Sequence, residues 1–103
     1  MDLKQLNSGL KTVYPTTHIE WEKGKAPDYP YIAIQDKPSS NFGADDKVYY
    51  QCDNFVVQLY AKKKNYIVAE KNVEKFFNDN EIFWQKERNW LKDEQVFLTI
   101  YFI

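Results

Sequence analysis

Cysteine, histidine and glycine are scarce in this chain: among 103 residues there are one Cys, one His and three Gly. A lone Cys52 excludes an internal disulfide and a CxxC metal knuckle. In its strand-like context it reads as a small apolar residue. His18 has no second histidine, cysteine or clustered carboxylate at ligand spacing, so it reads as a surface side chain of a strand rather than a metal ligand or general base. Charge of either sign is not in excess: 14 Lys and Arg face 15 Asp and Glu, a net charge of −1. That balance gives no overall electrostatic pull toward nucleic acid or membrane. No apolar run approaches the ~20 residues of a membrane span. The start, Met1-Asp2-Leu3-Lys4-Gln5, lacks the apolar stretch of a signal peptide. The expectation is one domain, soluble and intracellular when made, with a modest core.

Catalytic signatures are missing as well. The sequence has no GxGxxG, P-loop, GxSxG or HExxH, hence no local phosphate cradle, nucleophile elbow or zinc helix. Asp45 and Asp46 are adjacent carboxylates in a loop, too few oxygens for the six to eight that calcium takes. Glu81, Glu87, Asp93 and Glu94 are scattered without a histidine partner. The reading is a protein that is not an enzyme, with no catalytic, metal or cofactor site.

Aromatics are what the chain has in quantity: eight Tyr, seven Phe and three Trp, 17% of the residues. Rings beyond what a small core can hold collect at interfaces, where rigid area binds at low entropy cost. Composition therefore points toward self-association.

Periodicity predicts seven elements. Leu3, Leu6, Leu10 and Val13 fall on one helical face over residues 2–14, weakened at Gly9 and stopped before Pro15. Residues 16–21 alternate as a short strand, and 22–28 form a charged loop with Gly and Pro punctuation. Residues 29–35 form a strand with Pro30 at its first position. The stretch 36–46, rich in Ser, Asn and Gly, is a loop that carries an unusual apolar ring, Phe42. The longest strand candidate, 48–60, would span about 44 Å, so its first half is expected to project with that loop. Asn65 is a candidate N-cap for the best helix, 66–78, with Tyr66, Ala69, Val73, Phe76 and Phe77 as its apolar stripe and Glu70, Lys71, Asn72, Glu74 and Lys75 toward water. Residues 81–88, with Ile82, Phe83 and Trp84, and 95–103 are the last two strands, expected to pair as a hairpin. In the final strand Val96, Leu98, Ile100 and Phe102 line one face and Phe97, Tyr101 and Ile103 the other. Such a strand is either covered on both faces or buried at a subunit contact. The order α-β-β-β-α-β-β predicts an α+β fold: a mixed, mainly antiparallel sheet with two helices packed on one face.

Three stretches carry a family likeness. Pro30-Tyr31-Ile32, Ser40-Asn41-Phe42-Gly43-Ala44-Asp45-Asp46-Lys47-Val48-Tyr49 and Val57-Gln58-Leu59-Tyr60-Ala61-Lys62-Lys63-Lys64 occur in that order. They are followed by a helix and by the hairpin segments Glu81-Ile82-Phe83-Trp84-Gln85-Lys86 and Asp93-Glu94-Gln95-Val96-Phe97-Leu98-Thr99-Ile100-Tyr101. The pattern resembles small tail terminator (tail completion) proteins of long-tailed phages and prophages of Gram-positive bacteria, over residues 30–103. Its specific part is the 41–49 loop, similar to a family "NFGADNKVY". Asp46 departs from the usual Asn, Ala61 from a Thr and Asn65 from an Asp, all with turn and cap chemistry retained.

The resemblance implies one tail-terminator-like domain over 1–103, with a projecting loop at about 36–48. It implies a structural virion protein, made in the bacterial host cytoplasm, that caps the head-proximal end of the tail tube as a ring. Such a ring ends tube polymerisation and presents the head-joining surface. The partners implied are further copies of itself, in a hexamer, the major tail tube protein and the head completion or connector protein, with no membrane and no specific nucleic-acid binding. Assembly contacts are then expected at Phe42 as anchor, at Gly43 where the turn needs it, at Asp45, Asp46 and Lys47 for electrostatic register, and at Tyr49, Tyr50, Phe97 and Tyr101. The other reading of the chain is a small regulatory or nucleic-acid-binding domain using Lys62, Lys63 and Lys64. Three lysines without arginine or an aromatic platform carry that reading only weakly.

Overall fold

The computed structural model describes residues 2–19, 21, 24, 26–36 and 55–103. The first helix, α1 (Leu3–Leu10), begins with a full capping box. The Gln5 N–H donates to the Asp2 carboxylate at 2.9 Å, and the Asp2 N–H donates to Gln5 Oε1 at 3.1 Å. Two of the four N–H groups that a helix start leaves without partners are thereby satisfied. Leu6 and Leu10 are fully buried, as the helical period requires. Gly9 has a purpose beyond tolerance: a Cβ there would lie 2.5 Å from the ring of Phe76. The missing side chain is what lets α1 approach the second helix.

Strand β1 (Thr16–His18) is shorter than the predicted 16–21, because Ile19 takes φ 77° and turns the chain out of the strand. Strand β2 (Tyr31–Asp36) starts one residue after Pro30, which follows a cis peptide bond. Strand β3 (Phe55–Lys62) shows strict alternation, with Phe55, Val57, Leu59 and Ala61 all buried. The expected projecting loop and the first half of the long strand, 37–54, lie outside the described residues.

Helix α2 (Tyr66–Asp79) follows. Asn65 does stand at its N-cap position, but its side chain makes no capping hydrogen bond. The predicted strand at 81–88 is displaced: β4 runs Gln85–Leu91. Ile82, Phe83 and Trp84 look like a strand because they are apolar, yet they close the helix instead. Glu81 at φ 57° turns the chain, and the Ile82 N–H donates to the Phe77 carbonyl at 2.8 Å. Ile82 then packs on the core and the Trp84 indole N–H donates to Asn78 Oδ1 at 3.0 Å. This is the left-handed termination that satisfies the last helical carbonyls, with its accompanying apolar contact. Strand β5 (Val96–Phe102) completes the hairpin, after a turn in which Gln95 adopts φ 59°.

The five strands form one sheet in the order β1-β2-β3-β5-β4. Only β1 and β2 are parallel; the other pairs are antiparallel. The fold is α+β as its element order predicts. Register aligns Ile32 with Leu59, Ile34 with Val57, Leu59 with Thr99 and Val57 with Tyr101, and this single face meets α1 and α2. There Leu6, Leu10, Val73, Phe77 and Tyr101 join the strand residues in one core, each large apolar side chain contributing roughly 1.5–3 kcal/mol. β5 lies between β3 and β4, so its backbone is paired on both sides; α2 covers its Tyr101 face, while Leu98, Ile100 and Phe102 on the other face are half-buried.

Candidate functional site

Of the nine residues expected at assembly contacts, Phe42, Gly43, Asp45, Asp46, Lys47, Tyr49 and Tyr50 lie outside the described residues. Phe97 is half-buried, its ring centroid 4.1 Å from Tyr66 and 4.7 Å from Trp90. Tyr101 is a correction: it is wholly buried in its own chain. It sits on the helix-covered face of a central strand, edge-on to Phe77 and Trp84, so it cannot offer a surface to a neighbour.

Beneath α2 lies a charged cluster built on Glu70 and Glu74, two residues expected to face water. Glu70 recurs with Tyr66, Val73 and Phe77 at spacings of four, three and four, so it belongs to the core-facing stripe; its side chain is 3% exposed. Arg88 holds it with two hydrogen bonds, Nε to Oε2 at 2.9 Å and Nη2 to Oε1 at 2.7 Å. Lys86 Nζ donates to Oε1 at 3.0 Å and the Thr99 hydroxyl to Oε2 at 2.5 Å. Lys86 also reaches Glu74 at 2.8 Å, and the Tyr101 hydroxyl donates to that same Glu74 oxygen at 2.8 Å.

Burial alone would push the Glu70 carboxyl up, but the hydrogen bonds from Arg88, Thr99 and Lys86 outweigh it and hold it down at about 2. Burial and the Glu74 carboxylate push the Tyr101 hydroxyl far up. Every charged member is paired, and the cluster ties α2 to β4 and β5. Its chemistry is that of a structural clamp, in which charge-assisted, bidentate bonds fix orientation.

The opposite face of the sheet carries the other concentration of features. Tyr31 of β2 pairs with Tyr60 of β3, and their rings stack at 5.0 Å between centroids. Tyr29 stacks on Tyr31 at 5.2 Å, tilted by only 16°, and Trp21 meets Tyr31 edge-on at 6.0 Å. Burial and the neighbouring tyrosines push the Tyr31 hydroxyl up to about 12, and burial with Glu94 raises that of Tyr60. Lys62 Nζ sits 6.0 Å from the Tyr29 ring centre.

Two clefts adjoin at Ala26 and Tyr31. One, about 450 Å³, is lined by Trp21, Gln35, Gln58, Tyr60 and Glu94 among others. The second, about 620 Å³, is lined by Asp28, Tyr29, Lys62, Lys64 and Asn65 among others. The Gln35 amide is engaged, donating to the Ile19 carbonyl and to Gln58. The Trp21 indole N–H is buried and has no hydrogen-bond partner among the described residues. Tyr29 and Tyr31 stand some thirty residues from the lysine turn in the chain, and only the β2–β3 register brings the two together.

A third feature is the sheet's ends. Among the described residues β1 and β4 each pair on one side only. Beside β4, Phe83 is 79% exposed and Trp90 is 41% exposed. His18 donates a hydrogen bond to Asp36 at 3.2 Å and has no cation-binding company: no group of three potential metal-ligating side chains occurs among the described residues. No described helix is long and apolar enough to cross a membrane. The chain matches no protein-family model, no curated protein and no solved structure.

Proposed function

We propose that this chain is a structural phage protein that closes the head-proximal end of a tail tube as a ring, ending tube polymerisation and offering the head its joining surface. It works by binding rather than catalysis. Its partners in this reading are copies of itself in a hexamer, the tail tube protein and the head connector, and its place is the virion. The sequence likeness over residues 30–103 is the starting point.

The observation in the fold that carries the reading is the pair of unlike edges that, among the described residues, pair on one side only, β1 at one end of the sheet and β4 at the other. A ring requires a head-to-tail contact between two different patches of neighbouring copies, one that closes on rotation. Two different sheet edges suit that demand, because strand addition joins them through main-chain hydrogen bonds. Monomeric proteins commonly guard a long edge with free charges. On β4 Lys86 and Arg88 are bound to Glu70 and Glu74, so Glu87 is the strand's one charge left to guard it. Phe83 and Trp90 flank the edge as aromatic anchors of the kind that dominate interfaces.

Electron microscopy of phage lacking the gene tests the reading: overlong or unattached tails are expected, and normal tails would overturn it. A finer test is Phe83→Asp. An exposed substitution of this type should leave stability within about 0.5 kcal/mol while abolishing ring assembly on isolated tubes.

A further inference from the structure

The lysine turn 62–64 has no aromatic platform in the linear sequence, and folding supplies one. Tyr29, Tyr31 and Tyr60 form a continuous stack with interplanar angles of 16° and 29°. Lys62 Nζ lies over the Tyr29 ring, 6.0 Å from its centre, and Lys62 and Lys64 line the same cleft as Tyr29. We propose that this cleft is a binding site for short single-stranded nucleic acid, with Lys62 and Lys64 on the phosphates and a base added to the tyrosine stack.

Three observations favour that ligand. Near-parallel rings form a ladder that another flat ring extends, and every base has a π-face, so such stacking tolerates any sequence. The two lysines complement a phosphate backbone at one end of the cleft. Asp28, which also lines it, and Glu94, which lines the adjoining cleft, repel phosphate and so leave the remaining space to bases, from whose amino groups they can accept hydrogen bonds. A backbone fixed at Lys62 and Lys64 with bases stacked inward is the arrangement by which single-strand binders work without reading sequence. The site lies on the face of β2 and β3, away from β4; β1, the other edge in the ring reading, ends beside the adjoining cleft at Ile19.

Fluorescence anisotropy with a labelled oligothymidylate of about a dozen nucleotides tests it on the full chain. Saturable binding at low salt is expected. The logarithm of the affinity should fall with the logarithm of salt concentration at a slope of about −1.4, the value for two neutralised phosphates on a single strand. The double variant Lys62→Glu/Lys64→Glu, both exposed, should lose binding while melting as the parent does. Tyr29→Ala and an abasic strand should each bind at least about fivefold more weakly, whereas Tyr29→Phe, which keeps the ring, should bind like the parent. The proposal is overturned by no saturable binding at low salt, by an abasic strand that binds as tightly as the thymidylate, or by polyglutamate competing as well as the strand does. Loss of binding in Tyr29→Phe would also overturn it, since the ring face would then not be what binds.

Discussion

The two faces of the sheet use the same five strands and are held together differently. On the helix-covered face, apolar side chains and a fully paired charge cluster meet with almost nothing exposed: Val57, Leu59, Phe77 and Tyr101 are buried and Glu70 is bound four times over. On the other face rings stack side by side, half-open, with lysines and carboxylates at their margin. The first face has spent its interactions internally, which is the condition of a scaffold. The second still has surface to offer, which is the condition of a binding site. Burial and hydrogen-bond satisfaction, rather than residue type, separate the two, because both faces contain tyrosine, lysine and glutamate.

The sharpest way to break this comparison is to remove ring volume from the covered face. Phe77→Ala should cost about 3–5 kcal/mol in urea unfolding. Phe102→Ala on the half-open face should cost clearly less, and equal losses would mean that both faces are core.

Next comes the charge clamp. Glu70→Gln should cost about 3 kcal/mol, the low end for breaking a buried ion pair, since Lys86 and Arg88 keep partial access to water. Its pH signature is more telling than its size. The Glu70 carboxyl is held below its ordinary value, so the stability that it contributes is complete above about pH 4.5 and is lost as pH falls toward 2. The Gln variant should lack that loss, and parallel acid profiles for both proteins would refute the clamp.

Tyr101→Phe removes a hydroxyl donated to Glu74. It should cost about 1.5 kcal/mol, the lower end for a bond to a charged group because Lys86 still satisfies that carboxylate. Smallest is Gly9→Ala. Helix propensity alone predicts a gain of about 1 kcal/mol, but the new Cβ meets the Phe76 ring. Thermal unfolding is therefore expected to show no gain; a full gain would mean that the two helices can part without cost.

Several parts of this architecture were legible in the sequence for plain reasons. The alternation of residues 55–62 and of the last strand follows the period of two, and the stripe Ala69, Val73 and Phe77 follows the period of 3.6. The misreadings are equally physical. Ile82, Phe83 and Trp84 read as strand because a short apolar run has no direction of its own, and the helix end claims it. Glu70 was sent to water on its charge, although its place in the stripe pointed inward. A carboxylate at a core-stripe position, with Lys86 and Arg88 two apart on a later strand, is the signal that would have found the clamp. Tyr101 reads as a contact residue because a strand apolar on both faces suggests a partner, and α2 and Trp84 cover that face within the chain. Of the loop residues expected at contacts, from Phe42 to Tyr50, none lies among the described residues.

By itself the sequence determined the element types, their order, the capping of the first helix and the α+β class. These depend on neighbours a few residues apart, through backbone geometry and side-chain period. Only the tertiary structure decided that β5 lies inside the sheet, that Glu70 is enclosed by four donors, and that Tyr29 and Tyr31 stand beside Lys62. Those are contacts across the fold, fixed by strand order and register, and no local pattern contains them.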